Sequence, residues 1–207
     1  MARGQEGLAR LVESEGVDPR IVEAFRAIAR EDFVPDQARW EAYSDRPIGI
    51  PERQTTSQPS LIARMIDAAA IVPDDRVLEV GTGFGFQTAL LAKVAREVVS
   101  IERHGSIAGA ARDNLERAGL DNVEVVVGDG WQGRPETAPY DAIIVSAGAS
   151  DVPAALTAQL ADGGRLVIPL RSGHGDDVYL FRKRGDSLES VRLVTPARFV
   201  PLVPDDP

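Results

Sequence analysis

Three groups of residues have the types and spacing to hold a nucleoside, and a fourth candidate is a lone serine. The first is Glu79-x-Gly81-x-Gly83-x-Gly85. Glycines at alternate positions lack the Cβ that keeps a backbone away from a ligand, and they accept left-handed conformations. Dinucleotide sites use G-x-G-x-x-G, with a pyrophosphate at the following helix N-terminus. Here the third glycine falls outside that register, and Glu79 sets an acid before the loop, where it repels phosphate and suits a cation. A ligand with an amino-acid portion and no phosphate fits better, and S-adenosylmethionine is such a molecule. For a glycine loop taken alone, a plain tight turn is the alternative. The second group is Glu102, 21 residues beyond Gly81. An acid there can accept both ribose hydroxyls; the alternative is an exposed strand-end charge. The third is Gly128-Asp129-Gly130, where Asp129 could accept an adenine amino group or simply cap a turn. The fourth is Ser57, with no His or acid close to it in sequence to make it a nucleophile; an isolated Ser before Pro59 also reads as a helix cap. His104 and His174 lack metal-ligand spacing and are expected in surface loops, and no metal site is expected. Asp141, ahead of an apolar run, reads as structural.

These residues need a frame that gathers strand ends at one rim. Val77, Leu78 and Val80 form a short apolar run suited to a strand covered on both faces. From Gln87 the stripe Thr88, Leu90, Leu91, Val94 is helical. Further strands are expected at 98–101, 123–127, 140–146 and 165–170, and helices at 105–118, closed by Gly119, and at 152–160. After a polar loop with His174, strands at 178–182 and 191–194 could pair as a hairpin, and 199–202 could add an edge segment. Upstream, a weak helix spans 5–14. Asp18-Pro19 starts a stronger one, which continues through Ala29 and stops before Val34-Pro35. Trp40 to Arg53 reads as irregular and lid-like; a helix with Ser57 as N-cap and Pro59 in its first turn runs to about Ala70. The alternation implies an α/β fold, a mostly parallel sheet with an antiparallel edge and helices on both faces. One domain over 1–207 is expected, with N-terminal helices and a substrate or lid loop in 1–56 and the cofactor-binding core in 57–207. Asp205-Asp-Pro207 is expected to fray.

Composition narrows the function classes. Hydrophobic residues are 43% and charged residues 27% of 207, a globular profile. Net charge is −9, which argues against nucleic acid as partner, since phosphate binding needs clustered Lys and Arg. No apolar run of about 18 residues suggests a membrane span. Met1-Ala-Arg-Gly-Gln-Glu-Gly leads into charged sequence rather than an apolar signal core. With no Cys there is no disulfide or thiol nucleophile, and the cytoplasm is the expected compartment.

Most of the chain resembles the protein-L-isoaspartate (D-aspartate) O-methyltransferases. The resemblance rests on Arg30–Pro35, Ala42–Asp45, Gln54–Pro59, Val77–Gln87, Ser100–Arg103, Gly128–Gly133, Tyr140–Val145, Gly164–Pro169 and Arg198–Leu202. Gln54–Pro59, Gly128–Gly133 and Phe199–Leu202 are the more specific segments; the glycine loop marks any class of the Rossmann-like S-adenosylmethionine-dependent methyltransferase fold. The resemblance implies methyl transfer from S-adenosylmethionine, leaving S-adenosylhomocysteine, to isoaspartyl or D-aspartyl carboxylates of damaged peptides and proteins. It implies Ser57 as the active-site serine. Thr55, Thr56, Glu79, Gly81, Thr82, Gly83, Gly85, Gln87, Glu102, Arg103, Asp129 and Gly130 would bind the cofactor, and Ser57, Ser146, Ala147 and Gly148 the substrate. A monomer is expected. Two stretches depart from the family pattern: Ile50-Pro-Glu-Arg53, where a glycine-bearing run is usual, and Arg171–Asp177, where a Gln is usual. Both bear on the substrate side. They leave room for a relative that methylates one Asp of a modified peptide. Two further readings stay open, a binding module without turnover and a dehydrogenase.

Overall fold

The computed structural model describes residues 4–204; the Asp205–Pro207 tail lies outside them. Helix α1 (Gln5–Ser14) packs Leu8, Ala9 and Val12 against α2 (Pro19–Ala27). Helix α2 is capped as its sequence signals: Asp18 accepts from the Arg20 amide at 2.8 Å, and Pro19 supplies the first turn. It ends two residues before the expected Ala29, and two short 3-10 turns follow at Arg30–Phe33 and Asp36–Glu41. The stretch read as irregular, Trp40 to Arg53, holds the first strand and the turn of a small antiparallel hairpin, β1 (Ile48–Ile50), whose second strand, β2 (Gln54–Thr56), follows directly. Helix α3 (Pro59–Ala68) comes next. Its N-cap is Gln58, not Ser57, and no side chain of the cap residue bonds back. Asp45 does that work from a distance. Its carboxylate accepts from the Ser60 amide, the Ser60 hydroxyl and Gln58 Nε2, each at 2.9 Å.

The sheet is then laid down in βα units: β3 (Arg76–Val80), α4 (Phe86–Val94), β4 (Glu97–Glu102), α5 (Gly105–Arg117), β5 (Val123–Val127), β6 (Tyr140–Val145), α6 (Ala154–Gln159), β7 (Leu160–Ser172), β8 (Gly175–Arg184) and β9 (Ser187–Ala197). Spatial order is β5-β4-β3-β6-β7-β8-β9, with β3 to β7 parallel and the last two strands antiparallel. The order reverses between β3 and β6, the switch point where open α/β sheets bind ligands at their carboxyl rim. Strand β7 runs well past the expected 165–170, and the loop predicted around His174 is a tight turn.

Alternate strand residues feed two cores. Val77, Val98, Ala142, Ile144 and Val167 join α1 to α4 in the larger one. Leu78, Val80, Val99, Ile101, Ile143, Val145, Leu166 and Ile168 meet α6 and Trp131 on the other face. Helices therefore lie on both faces, unequally. Asp141 is structural as read, accepting the Arg76 amide at 2.8 Å. The segment expected at a sheet edge, Phe199–Leu202, instead crosses the rim. Gly148 donates to Val200 O and accepts from the Leu202 amide, both at 2.8 Å.

Candidate active site

Strand β3 delivers the glycine loop to the rim. Gly81, Gly83 and Gly85 have φ of 97°, 55° and 91°, the left-handed region that side chains disfavour. A Cβ on Gly81 would press Ser146 Cβ at 3.3 Å, so the missing atom lets the β3 and β6 ends approach. Beside the loop, Glu102 closes β4. One of its oxygens accepts the Gly83 amide at 2.9 Å and the other the His104 amide at 3.1 Å. Each carboxylate oxygen has two acceptor sites, so capacity remains toward solvent. Glu102 is both a loop clamp and a prepared acceptor.

A cavity of about 460 Å³ opens at this rim. Its walls come from segments distant in sequence: Gln54–Ser57, Ile62, Val80–Phe84 with Phe86 and Gln87, Ile101–His104, Gly130, Ser146–Ala147, and Val200–Val203. Of the residues singled out in sequence, it gathers Thr55, Thr56, Ser57, Gly81, Thr82, Gly83, Gln87, Glu102, Arg103, Gly130, Ser146 and Ala147. Ser57 faces it free of helix capping, since Asp45 holds that role, and its carbonyl accepts from Arg30 Nη2 at 3.0 Å. Gly130 is required by crowding: a Cβ there would sit 2.3 Å from Val80 Cγ1.

Four expected contacts do not line the cavity. Glu79 is completely buried beneath the loop. It accepts from Ser100 Oγ at 2.6 Å, Gln87 Nε2 at 2.9 Å and Thr88 Oγ1. Burial lifts its carboxyl to about 7 against those three hydrogen bonds, which pull the other way. Gln87 donates to Ser146 Oγ as well, at 2.9 Å, so Glu79 acts on the cavity floor through a relay. Gly85 caps α4 and makes room for α5, where a Cβ would meet Leu115 Cγ at 3.3 Å. Asp129 accepts the Trp131 amide at 2.8 Å, the turn-capping alternative. Gly148 anchors the Phe199–Val203 strap; a Cβ there would lie 2.5 Å from Asp176 Oδ1. Asp176 in turn accepts the Phe199 amide at 2.8 Å.

Sequence reasoning missed several lining residues. His104 lies in the cavity wall rather than in a plain surface loop, and Phe84 and Phe86 supply apolar surface. Phe84 stands within the glycine loop and Phe86 directly after it, and that placement was the available signal. The strap Val200–Val203 was marked by its apolar character and by the family resemblance of Phe199–Leu202, but not as a cavity wall, because its place depends on Gly148 and Asp176, each remote from it in sequence.

The strand order with its reversal at β3 and β6, and the glycine loop beside an acid on the next strand, define a Rossmann-like methyltransferase fold. One solved structure, described as a protein-L-isoaspartate O-methyltransferase, matches with a TM-score of 0.86 and 33% identity over 95% of this chain; the chain spans 65% of that longer one. A Plasmodium falciparum structure, described as a protein-L-isoaspartate O-methyltransferase in complex with S-adenosyl-L-homocysteine, shares the fold with a TM-score of 0.81, 22% identity and coverage of 98% and 99%. The family profile for protein-L-isoaspartate(D-aspartate) O-methyltransferase (PCMT) matches residues 3–206. Among curated relatives, the protein-L-isoaspartate O-methyltransferase of Koribacter versatilis is 45% identical over 200 residues, covering 94% of this chain and 90% of its own. That of Methanoculleus marisnigri is 47% identical over 193 residues, covering 93% and 87%. This chain belongs to the protein-L-isoaspartate (D-aspartate) O-methyltransferase family.

Proposed function

We propose that this protein transfers a methyl group from S-adenosylmethionine to the carboxylate of L-isoaspartyl or D-aspartyl residues, the first step in returning damaged peptides to normal aspartate through a succinimide. The observation that carries the reading is the rim cavity itself: a clamped carboxylate, Glu102, on one wall and Ser57 on another, over a glycine loop that lets backbone approach the ligand. The donor set suits the cofactor. Glu102 would hold the ribose, Gly81 to Gly83 would follow the amino-acid portion, and Gly130 leaves room for a flat ring. When bound, S-adenosylmethionine supplies an electrophilic methyl group on a sulfonium.

The residues then have limited work to do. The free group of an isoaspartyl residue is its α-carboxyl, ordinarily about 3.3–3.7, and that of a D-aspartyl residue is its side chain, about 3.9, so either acceptor is ionised near neutral pH and needs no general base. That is consistent with a cavity whose single histidine, His104, lies beside Glu102 in sequence. Ser57 orients the acceptor by a hydrogen bond, to bring the reacting atoms to roughly 3–3.5 Å. Apolar Phe84, Phe86 and Leu202 exclude water. Residues 1–56 act as the substrate-side cover on the 57–207 core.

The chain is read as a cytoplasmic monomer acting on peptides and proteins, with no role for nucleic acid. Among the described residues no helix is long and apolar enough to cross a membrane. A second reading, one dedicated Asp acceptor in a modified peptide, is favoured by the altered hairpin turn at Pro51–Arg53. Tritiated-methyl transfer decides between them. Base-labile counts on an isoaspartyl peptide, and few on its aspartyl twin, are expected. Equal labelling of both, or labelling of neither, overturns the repair reading.

A further inference from the structure

Arg30 is the largest fully buried side chain of the described residues, at 0% exposure. Its guanidinium donates to the carbonyls of Ala42 at 2.9 Å, Ser44 at 3.0 Å, Arg46 at 3.2 Å and Ser57 at 3.0 Å. The group also lies over the Phe86 ring, 5.5 Å from its centroid, and its Nε has no acceptor. Backbone carbonyls take up hydrogens of the two Nη groups but do not cancel the charge. Asp45 and Glu41 favour its charged form from a distance, but neither makes an ion pair with it; Asp45 holds Ser60 and Gln58 at the start of α3. Burial lowers the guanidinium to about 10, which still leaves it charged at neutral pH.

A buried charge without an ion-pair partner is costly, and a neutral side chain could fill the space without that penalty. Two of the groups this charge touches, Ser57 and Phe86, are walls of the cavity. The chain as a whole carries a net charge of −9, which repels an anionic acceptor. Local positive potential behind Ser57 offsets that repulsion where it matters. We propose that Arg30 is a positioning residue for the methyl acceptor: its buried charge, presented through the Ser57 carbonyl, selects an anionic group and holds it beside Ser57. The proposal rests on the carboxylate-acceptor reading above.

The test uses the full chain saturated with S-adenosyl-L-homocysteine. Calorimetry compares an isoaspartyl peptide with the same peptide carrying isoasparagine, which has the shape but not the charge. The wild type prefers the anionic peptide. Arg30→Met reduces that preference about tenfold or more, the order expected for a unit charge within about 12 Å at an effective dielectric of about 20. Arg30→Lys keeps most of it. Homocysteine-product affinity stays within about threefold in both, as a check that the cavity is intact. Arg30→Met with an intact cavity and undiminished preference overturns the proposal and leaves Arg30 as a backbone staple. Should Arg30→Met fail to fold, the wild type decides by salt. A preference that changes less than about twofold between about 0.05 and about 0.5 M NaCl supports a buried charge, and one that collapses points to exposed charges and overturns it. A wild type with no preference for the anion fails the acceptor reading itself, before any variant is made.

Discussion

Single residues carry most of the chemistry, and three can be separated by experiment. Ser57 faces the cavity with no capping duty, so Ser57→Ala is expected to lower kcat by at least about tenfold while S-adenosyl-L-homocysteine affinity is unchanged. Equal losses in both would assign it to the cavity's architecture. Glu102 is expected to matter for binding. Glu102→Ala removes a charged acceptor and releases the amides of Gly83 and His104, costing roughly 10- to 100-fold in product affinity by calorimetry. Unchanged affinity would exclude the ribose role. Glu79 is expected to appear in the pH dependence of stability. Its folded value near 7 exceeds the ordinary 4.5, so the folded state holds a proton that the unfolded chain has lost. The stability it contributes is complete below about pH 4.5 and declines as pH rises to about 7. Glu79→Gln should flatten the Tm profile over that window; an unchanged slope would place the titration elsewhere. These roles were unevenly legible. Glu102 could be placed at the rim from its spacing, whereas Ser57 read by itself as a helix cap and only the family resemblance pointed to the site. Glu79 could not be placed: its position before the loop is the same whether its side chain turns up toward a ligand or down beneath it, and Ser100, Thr88 and Gln87 decide that.

At the scale of elements, the βα alternation was readable because each strand is a short apolar run and each helix an amphipathic or apolar stripe. The β1–β2 hairpin was not. Its strands have three residues each, below any periodicity, and Pro47, Gly49 and Pro51 mark it as a breaker region. Its turn carries Glu52 and Arg53 at φ 56° and 58°. Side chains there are strained, by about 1 kcal/mol or more each. A Glu52→Asn, Arg53→Gly pair is expected to raise Tm, and its effect on kcat/KM for an isoaspartyl peptide reports whether the turn shapes acceptor choice. A fall in Tm would show that the turn is held by contacts of those side chains. Helix α3 teaches a related lesson. Ser57 had the look of its cap, but the capping acid is Asp45, brought in from a separate loop. Asp45→Ala should cost about 1–2 kcal/mol in unfolding, the loss of a cap, with Ser57→Ala costing far less.

For the whole molecule, both sheet edges are blunted. On β9 the register skips at Val191 and Val194, and Pro196 interrupts the donors; on β5 Arg112 covers the Val125 carbonyl with Nε at 3.1 Å and Nη2 at 2.7 Å. With a net charge of −9, edge-to-edge pairing is discouraged, and sedimentation at neutral pH is expected to give a single species of the chain's 22.2 kDa mass. The wall segments of the cavity, spread from Gln54 to Val203, have a consequence for the protein's lifetime in a cell. No partial fold contains the ligand site, so the ligand recognises only finished molecules. At a free concentration of about 100 times its Kd, it would add roughly 2.7 kcal/mol to them and nothing to unfinished ones. Supply of the methyl donor would then set not just how fast the protein works but how long each copy resists proteases.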